Sequence, residues 1–298
     1  MKKNLFMMIA LAALVMFSCK ENPYIGGPGE DNPQIPDTIP VLIPDTDGIE
    51  ISIDSAYKIV DALPANATSA EIYKIRGEIS QVKTNPFLIP STYTNVDFEI
   101  IPIGATNTNK KVVAYRSWGL NNVAFRNRSQ VPLAGTIATF RGHLTKYNNA
   151  PELKGYDNSE HCFITSWENP TFITSPLPSC SAPEEGELSC TQAADTAKLG
   201  RSKKYQTKGT VIGMLEFSTG YGNAQILITD GQKTVLAYRS WAAEGNKKFT
   251  SKDQLMIGDE ITIEGMLTVY NNFPQIANGG YLVKSNNPNW QAQFQPQQ

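Results

Sequence analysis

The sequence contains little of the chemistry on which most enzymes depend. Its 298 residues include two histidines and four cysteines, and neither type recurs at the spacing of a zinc site. The chain has no glycine-rich phosphate loop, nucleophile elbow or HExxH motif. Its carboxylates are scattered without a recurring pattern. The sequence therefore gives no support for an enzyme, a metal site or a bound cofactor.

A strong net charge is also absent, because the formal charge is −2. The whole chain therefore has no marked electrostatic preference for one class of partner. Residues 49–165 and 188–290 are each weakly basic, while the acidic excess lies before and between them. Weakly basic domains on acidic connectors are compatible with a polyanion such as nucleic acid, but they do not require one.

Long apolar runs are limited to the N-terminus, from Leu5 to Phe17. This run follows two lysines, precedes Ser18-Cys19, and is shorter than the roughly 20 residues of a transmembrane helix. The layout resembles a bacterial lipoprotein signal, which implies removal of residues 1–18 and membrane attachment through an acylated Cys19. The following "CKEN" is similar to the surface-export signal of Bacteroidetes-type lipoproteins, so an outer-membrane, surface-facing protein is expected. Residues 19–48 are rich in Pro, Gly and Asp and should form a stalk.

What the sequence does contain is a tandem repeat. The heptad "VVAYRSW" at 112–118 returns as "VLAYRSW" at 235–241. The same offset of 123 residues continues without a gap from Val112–Leu153 to Val235–Ile276, and 15 of the 42 aligned pairs are identical. Unrelated sequences match at about one position in twenty. The two regions are therefore predicted to be copies of one domain.

Each copy is predicted to contain a short strand, a helix and five further strands. The helix of the first copy follows from apolar residues at helical spacing, with Asp54 as the expected N-cap and Pro64 as the stop. Alternating apolar residues predict strands around 72–82, 96–103, 111–118 and 136–146, followed by a tight turn and a fifth strand. Gly77 and Gly209 lie within the first of these strands, where a sharp bend is expected. The predicted domains are 49–167 and 188–288, with a linker at 168–187 and a polar tail at 289–298.

This strand order, with its long connection between the third and fourth strands, resembles the OB-fold, a five-stranded barrel. The segment "GDEITIEGMLTVYNNFPQI" at 258–276 is similar to the fourth strand, turn and fifth strand of OB modules in secreted bacterial nucleases and Bacteroidetes lipoproteins. The first copy departs from that pattern, with Thr136 at the position of Asp259 and "IPIGATNTN" in place of a "DG" turn. The resemblance implies a mainly β protein with two tandem OB-like barrels, each preceded by a short strand and helix.

The resemblance also implies ligand binding across the second and third strands, flanked by the turn between the fourth and fifth. The residues that both copies share there are Arg116, Trp118, Tyr147, Asn148 and Asn149, and Arg239, Trp241, Tyr270, Asn271 and Asn272. Strict alternation puts Arg116 and Trp118 on one face of the strand, where they can stack a nucleobase or a sugar ring. The same residues also suit structural roles, since a Trp can close a barrel end, an Asn pair can form a turn, and an Arg can bridge a carboxylate.

Two functions of different class follow. The first is non-catalytic binding of a polymeric ligand, either single-stranded nucleic acid or a glycan, which the weak basicity favours. The second is a structural or interaction module of a surface protein assembly, which the lack of further aromatic residues on the second strand favours. The sequence indicates no oligomeric state.

The remaining cysteines and histidines allow limited predictions. Export permits disulfides, and Cys180 and Cys190, which flank the acidic linker, are the first choice for one. Cys190 aligns with Ile53, however, and equally fits a buried free thiol. Met266 takes the repeat position of His143, which favours a packing role for that histidine.

Overall fold

The computed structural model describes residues 48–64, 67–89, 92–105, 109–156, 160–200, 202–218 and 220–294. The chain divides into two units, Met1–Asn32 and Pro33–Gln298, and every described residue belongs to the second. Cys19 and the predicted stalk before residue 48 lie outside the described residues. Within the described ranges, no helix is both long and apolar enough to cross a membrane.

The described chain is mainly β and contains one order of elements twice. The first copy consists of β1 (Ile49–Ile51), α1 (Ile53–Ala62), β2 (Thr68–Val82), β3 (Val96–Ile101), β4 (Val112–Leu120), β5 (Ile137–Tyr147), β6 (Ala150–Lys154) and β7 (Phe163–Glu168). The second consists of β8 (Glu187–Ser189), α2 (Cys190–Ala197), β9 (Lys204–Ser218), β10 (Asn223–Thr229), β11 (Thr234–Trp241), β12 (Glu260–Tyr270), β13 (Phe273–Ile276) and β14 (Tyr281–Ser285). Short 3₁₀ turns lie at Pro86–Leu88, Arg128–Gln130 and Lys252–Gln254, and α3 spans Pro288–Phe294.

Each half of the sheet partly closes into a ring, because its long first strand pairs with a different neighbour at each end. β2 pairs with β5 over residues 72–78 and with β3 over residues 78–82. β3 pairs with β4, and β4 runs parallel to β6 and β7, which both pair with β5. The second copy repeats this order from β9 to β14. The inner face of each ring holds its apolar core, and the outer face meets solvent or the other copy.

Two glycines lie where the first strand passes from one neighbour to the other, as the sequence predicts. A Cβ placed on Gly77 would be 2.4 Å from Ile100 Cγ2 and 2.7 Å from the carbonyl oxygen of Ile101. A Cβ placed on Gly209 would be 2.7 Å from the Cys190 sulfur. Both positions therefore allow an approach that any larger residue would obstruct.

Both N-terminal helices begin at a serine, and the prediction of Asp54 as an N-cap is wrong. The Ser52 side chain accepts a hydrogen bond from the first turn of α1, and Ser189 does the same for α2. A serine suits this position because its hydroxyl satisfies an N–H that has no partner within the helix. Asp54 lies inside the first turn, where it pairs with Lys110 at 2.6 Å and still suits the positive end of the helix dipole.

The two copies pack together through the outer face of the second ring. Leu227 on β10 and Leu236 on β11 are buried in the same apolar cluster as Leu133 of the first copy. Ile173, from the segment predicted as a linker, is 1% exposed and belongs to this cluster as well. As a result β10 is buried on both faces, whereas its counterpart β3 alternates buried and half-buried residues.

The C-terminal segment differs from the polar tail that the sequence predicts from residue 289. It begins as the helix α3, and Trp290 is 8% exposed within the apolar cluster of the second copy. The Trp290 Nε1 donates a hydrogen bond to the Ala242 carbonyl at 2.6 Å. One aromatic side chain therefore ties the end of the chain to the second ring.

The connection after each heptad corrects the gap-free alignment of the repeat. Gln130 Oε1 accepts a hydrogen bond from the backbone N–H four residues earlier at 2.7 Å, and Gln254 does the same at 2.7 Å. Phe125 and Phe249, which precede them, are both buried. These pairs are 124 residues apart, whereas the heptads are 123 apart. The connection of the second copy therefore contains one extra residue before its 3₁₀ turn and one fewer after it.

We predict that Gly77→Ala lowers the free energy of unfolding by about 1–3 kcal/mol, because the new Cβ overpacks a site bounded by backbone. Denaturant unfolding measures this change. The matched control is Arg76→Ala, which removes only an exposed ion pair with Glu168 and should cost no more than about 1 kcal/mol. Equal losses in the two variants would argue against the close approach at Gly77.

Candidate ligand-binding face

The repeated heptad forms a strand that is interrupted by a β-bulge at its arginine. Tyr115 and Arg116 together oppose the single residue Asp97 on β3, and the second copy repeats this irregularity around Arg239. The φ angles of Arg116 and Arg239 are 47° and 48°. This left-handed conformation costs a non-glycine residue about 1–2 kcal/mol. Both copies therefore keep a strained arginine at the same position.

The bulge overturns the assignment of faces that strict alternation predicts. Ala114 and Ser117 are buried, Tyr115 and Trp118 are half-buried, and Arg116 is exposed. The extra residue shifts the alternation by one position. Tyr115 and Trp118 therefore share the outer face of the ring, with the arginine between them.

Each bulged arginine packs on its own neighbours. The backbone N–H of Arg116 donates to Asp97 Oδ1 at 2.7 Å, and its guanidinium lies 5.0 Å from the centroid of the Tyr115 ring. The guanidinium of Arg239 lies 5.3 Å from the centroid of the Tyr238 ring. An exposed contact of this kind stabilises by about 0.5–1 kcal/mol. The outer face thus carries a cation placed against an aromatic ring.

In the first copy, Trp118 begins a row of side chains that crosses the outer face. Trp118 is paired with Phe163 on β7, and Phe163 is paired with Arg141 on β5. Directly paired residues project from the same face of a sheet. The Arg141 guanidinium lies 5.2 Å from the centroid of the Phe163 ring, so this row ends in a cation.

The equivalent row in the second copy ends in a carboxylate. Trp241 is paired with Tyr281, and Tyr281 with Glu264. The Tyr281 hydroxyl donates to Glu264 Oε1 at 2.6 Å, and Gln206 donates to Glu264 Oε2 at 3.1 Å. The bond to Glu264 raises the pKa of Tyr281 to about 12, and the bond from Tyr281 lowers the pKa of Glu264. Glu264 is therefore ionised at neutral pH, beside two aromatic rings.

The two tryptophans differ in what lies on their indole faces. His161 stacks on Trp118, with ring centroids 3.7 Å apart and 18° between the planes. The backbone N–H of each tryptophan donates at 2.8 Å to a backbone carbonyl, that of Cys162 just before β7 or that of Gly280 just before β14. This register puts Gly279 at the position of His161. A Cβ placed on Gly279 would meet no atom within 4 Å. Over the described part of the chain, no ring stacks on Trp241.

The asparagine pairs have a backbone explanation. Asn148 and Asn149 have φ angles of 48° and 61°, and Asn271 and Asn272 have 50° and 61°. Each pair is the two-residue loop of a hairpin, and two positive φ angles there define a type I′ turn. Asparagine is one of the few residues that tolerate this conformation, so the turn alone accounts for its recurrence.

The fold does not bring all of the predicted site residues together. Leu236 on β11 is paired with Gln275, three residues after the Asn271–Asn272 turn, and the two strands are parallel, so the turn lies near the start of β11, whereas Trp241 is its last residue. The first copy has the same arrangement. At about 3.3 Å per residue, the two ends of this strand lie roughly 20 Å apart. The Arg–Trp group and the Tyr–Asn group, in which Tyr147 and Tyr270 are 61% and 65% exposed, are therefore separate surfaces.

The cysteines are among the nucleophilic side chains in the described ranges. Cys162, Cys180 and Cys190 are free thiols, and the Cys180–Cys190 disulfide stays a prediction. Burial raises the pKa of Cys162 to about 12 and that of Cys190 well above its ordinary value, so neither is a good nucleophile. In the ranges that the structure covers, no cluster of three His, Cys, Asp or Glu side chains could hold a metal ion.

His143 combines packing with hydrogen bonding. It is 5% exposed, and its Nδ1 lies 2.9 Å from the Ser69 carbonyl oxygen. Its Nε2 lies 3.0 Å from a carboxylate oxygen of Glu160. The histidine therefore links β5 to its surroundings. The second copy has Met266 at the same repeat position, so the fold does not require these two hydrogen bonds in both copies.

The outer rows were not predicted from the sequence, although Arg141 and Glu264 are aligned at the repeat offset. Arg141 and Glu264 have opposite charges, so the sequence did not indicate that they occupy equivalent positions. Their aromatic partners lie in β7 and β14, where the two copies differ in length.

No protein-family model and no curated protein sequence matches this chain.

We predict that the free energy of unfolding of Arg239→Gly differs from that of the natural protein by no more than about 1 kcal/mol, because glycine adopts a positive φ without steric cost. Arg239→Ala keeps the strain and loses the contact with Tyr238, so it should be less stable than the glycine variant by about 1 kcal/mol. Thermal unfolding of the three proteins measures the order. A glycine variant less stable than the alanine variant would show that the position is not strained.

Proposed function

We propose that the chain is a non-catalytic, lipid-anchored protein whose two copies are OB-like barrels that bind a polymeric ligand. The strand pairing supports the barrel type, since the first strand pairs with the second and fourth, and the fifth lies between the third and fourth. That order is the one expected of a five-stranded OB barrel. In this chain the fifth strand is divided into two segments, β6 and β7 in the first copy and β13 and β14 in the second, and a short helix precedes each barrel.

The observation that carries the binding proposal is the strained arginine beside an outward tryptophan in both copies. Strained backbone often persists at binding sites, where the surrounding structure enforces it. Glycine would relieve the strain at Arg116 and Arg239, and both arginine side chains are exposed. Packing therefore does not require an arginine, and its presence in both copies favours a role for the side chain itself.

In the second copy, the carboxylate at the end of the tryptophan row favours a glycan over single-stranded nucleic acid. Glu264 lies in the row of Trp241, and Asp97 bonds to the backbone of Arg116. Carboxylates repel phosphates, whose attraction to cations dominates nucleic-acid affinity. A sugar instead offers a C–H face to an indole ring and hydroxyl donors to a carboxylate.

The second copy is the stronger candidate for the primary contact. Among the described residues no ring stacks on Trp241, and the space at Gly279 is open, whereas His161 already stacks on Trp118. The proposed contact consists of Trp241, Arg239 and Glu264. The first copy would contribute a weaker contact through the exposed Arg116, since His161 already covers its tryptophan.

We predict that Trp241→Ala weakens binding to a matching polysaccharide by at least about fivefold, because ring stacking contributes roughly 1–3 kcal/mol. Trp118→Ala, the matched control, should bind almost normally. His161→Ala should free Trp118 for a second stacking contact and strengthen binding of the polymer. An array of polysaccharides and single-stranded oligonucleotides, read at two salt concentrations, identifies the ligand. Nucleic-acid binding must fall steeply with salt, and neutral glycan binding should not.

The alternative is a structural or interaction module of a surface assembly. The burial of Leu227 and Leu236 favours it, because the second ring already uses much of its outer face for protein packing. In that case Trp241→Ala would lower the melting temperature substantially, and no member of the array would bind. A variant that keeps its melting temperature but loses a ligand decides for the binding proposal.

Membrane attachment is tested separately. We predict that cells expressing the protein incorporate an alkyne-tagged fatty acid into it, and that Cys19→Ser abolishes the label. Cys180→Ser is the control and should be labelled like the natural chain, since its thiol plays no part in acylation. Label that survives in Cys19→Ser would reject Cys19 as the attachment site.

A further inference from the structure

A groove between the two copies has the composition of a binding site for a small anion. The groove lies between Phe87 and Arg128 of the first copy, Leu177 of the connecting segment, and Lys198, Lys233 and Phe273 of the second. Its volume of about 560 Å³ is within the range of small-molecule sites. None of the residues that line it is acidic. The groove therefore offers three cations and an apolar surface to one ligand.

Arg128 is the residue that points most clearly to an anion. Its guanidinium lies 4.9 Å from the centroid of the Phe87 ring, and its Nε is shielded from solvent. Over the described residues, that Nε has no hydrogen-bond partner and the side chain forms no ion pair. A cation that is partly removed from water without an anionic partner is unfavourable. An anion beside its terminal nitrogens would supply the missing charge.

The lysines and the aromatic rings complete the groove. Lys198 and Lys233 lie 3.1 Å and 2.8 Å from the same oxygen of Asp195, so one carboxylate is shared by two cations. The rings of Phe87 and Phe273 lie 5.4 Å apart and join the two copies at this point. The local charge is therefore positive, next to an aromatic surface on which a flat group can pack.

We propose that this groove binds a small organic anion, with its acidic group at Arg128 and its ring against the phenylalanine pair. The groove contains Thr234, at the start of β11, whereas Trp241 is at the end of that strand. The two sites are roughly 20 Å apart by the rise of a strand. The inference goes beyond the polymer-binding proposal and does not depend on it.

Titration calorimetry of the purified protein with glucuronate and with AMP tests the proposal, with glucose and adenosine as the neutral counterparts. At least one acid should bind, its neutral counterpart should not, and the affinity should fall as salt is raised. The two acids distinguish a carboxylate ligand from a phosphate ligand. Arg128→Gln should weaken the binding by at least about tenfold, because hydrogen bonds to charged groups are the strong ones.

Three comparisons make the result decisive. Arg126→Gln, at an exposed arginine two residues away, should leave the affinity unchanged. The double variant Lys198→Gln, Lys233→Gln should also weaken binding while keeping its melting temperature, because both lysine side chains are accessible to solvent. Trp241→Ala should not affect it, so failure of the polymer proposal stays distinguishable. Absence of binding by both acids at millimolar concentration, equal binding of the neutral counterparts, or equal losses in Arg126→Gln and Arg128→Gln would overturn the proposal.

Discussion

The constraint on which the structure depends is the change of partner along the first long strand of each copy. β2 and β9 must leave one neighbour and join another within a few residues, and Gly77 and Gly209 permit the close approach that this requires. Because the strand serves two neighbours, the sheet curls back on itself and gains an inside and an outside. The apolar core, the packed outer face between the copies and the exposed outer rows all follow from that separation.

The second constraint is the bulge at Arg116 and Arg239, which decides which side chains face outward. Without the extra residue, the tryptophan side chain would lie on the buried, inner face of the strand. The copies then use the same outward position differently, since the first stacks His161 on its tryptophan and the second leaves Gly279 there. Duplication therefore gave two equal frameworks, and small differences beside the tryptophans made their surfaces unequal. Packing between the copies adds the cationic groove, which neither copy has alone.

The sequence predicted the mainly β class, the strands and the glycines, because apolar alternation is a local signal and the repeat shows each strand pattern twice. It did not predict the bulge, since nothing in "AYRSW" distinguishes a regular strand from one with a left-handed arginine. The sequence pattern predicted the helix start at Asp54, because aspartate is a common N-cap. The Ser52 hydroxyl instead caps the helix two residues earlier. The rows through Arg141 and Glu264 and the groove at Arg128 depend on pairing between distant strands, which no local pattern contains. The turn role that the sequence allows for the asparagine pairs agrees with their positive φ angles, whereas a binding role stays a prediction.

The most direct test of this account is a nuclear Overhauser measurement of the distance between the amide and α protons within Arg116 and within Arg239. A positive φ brings these two protons closer than an extended strand does. The account predicts a strong signal within both arginines and weak signals within the neighbouring residues of β4 and β11. Weak signals within the arginines would mean a regular strand, which would turn the tryptophans inward and remove the proposed face.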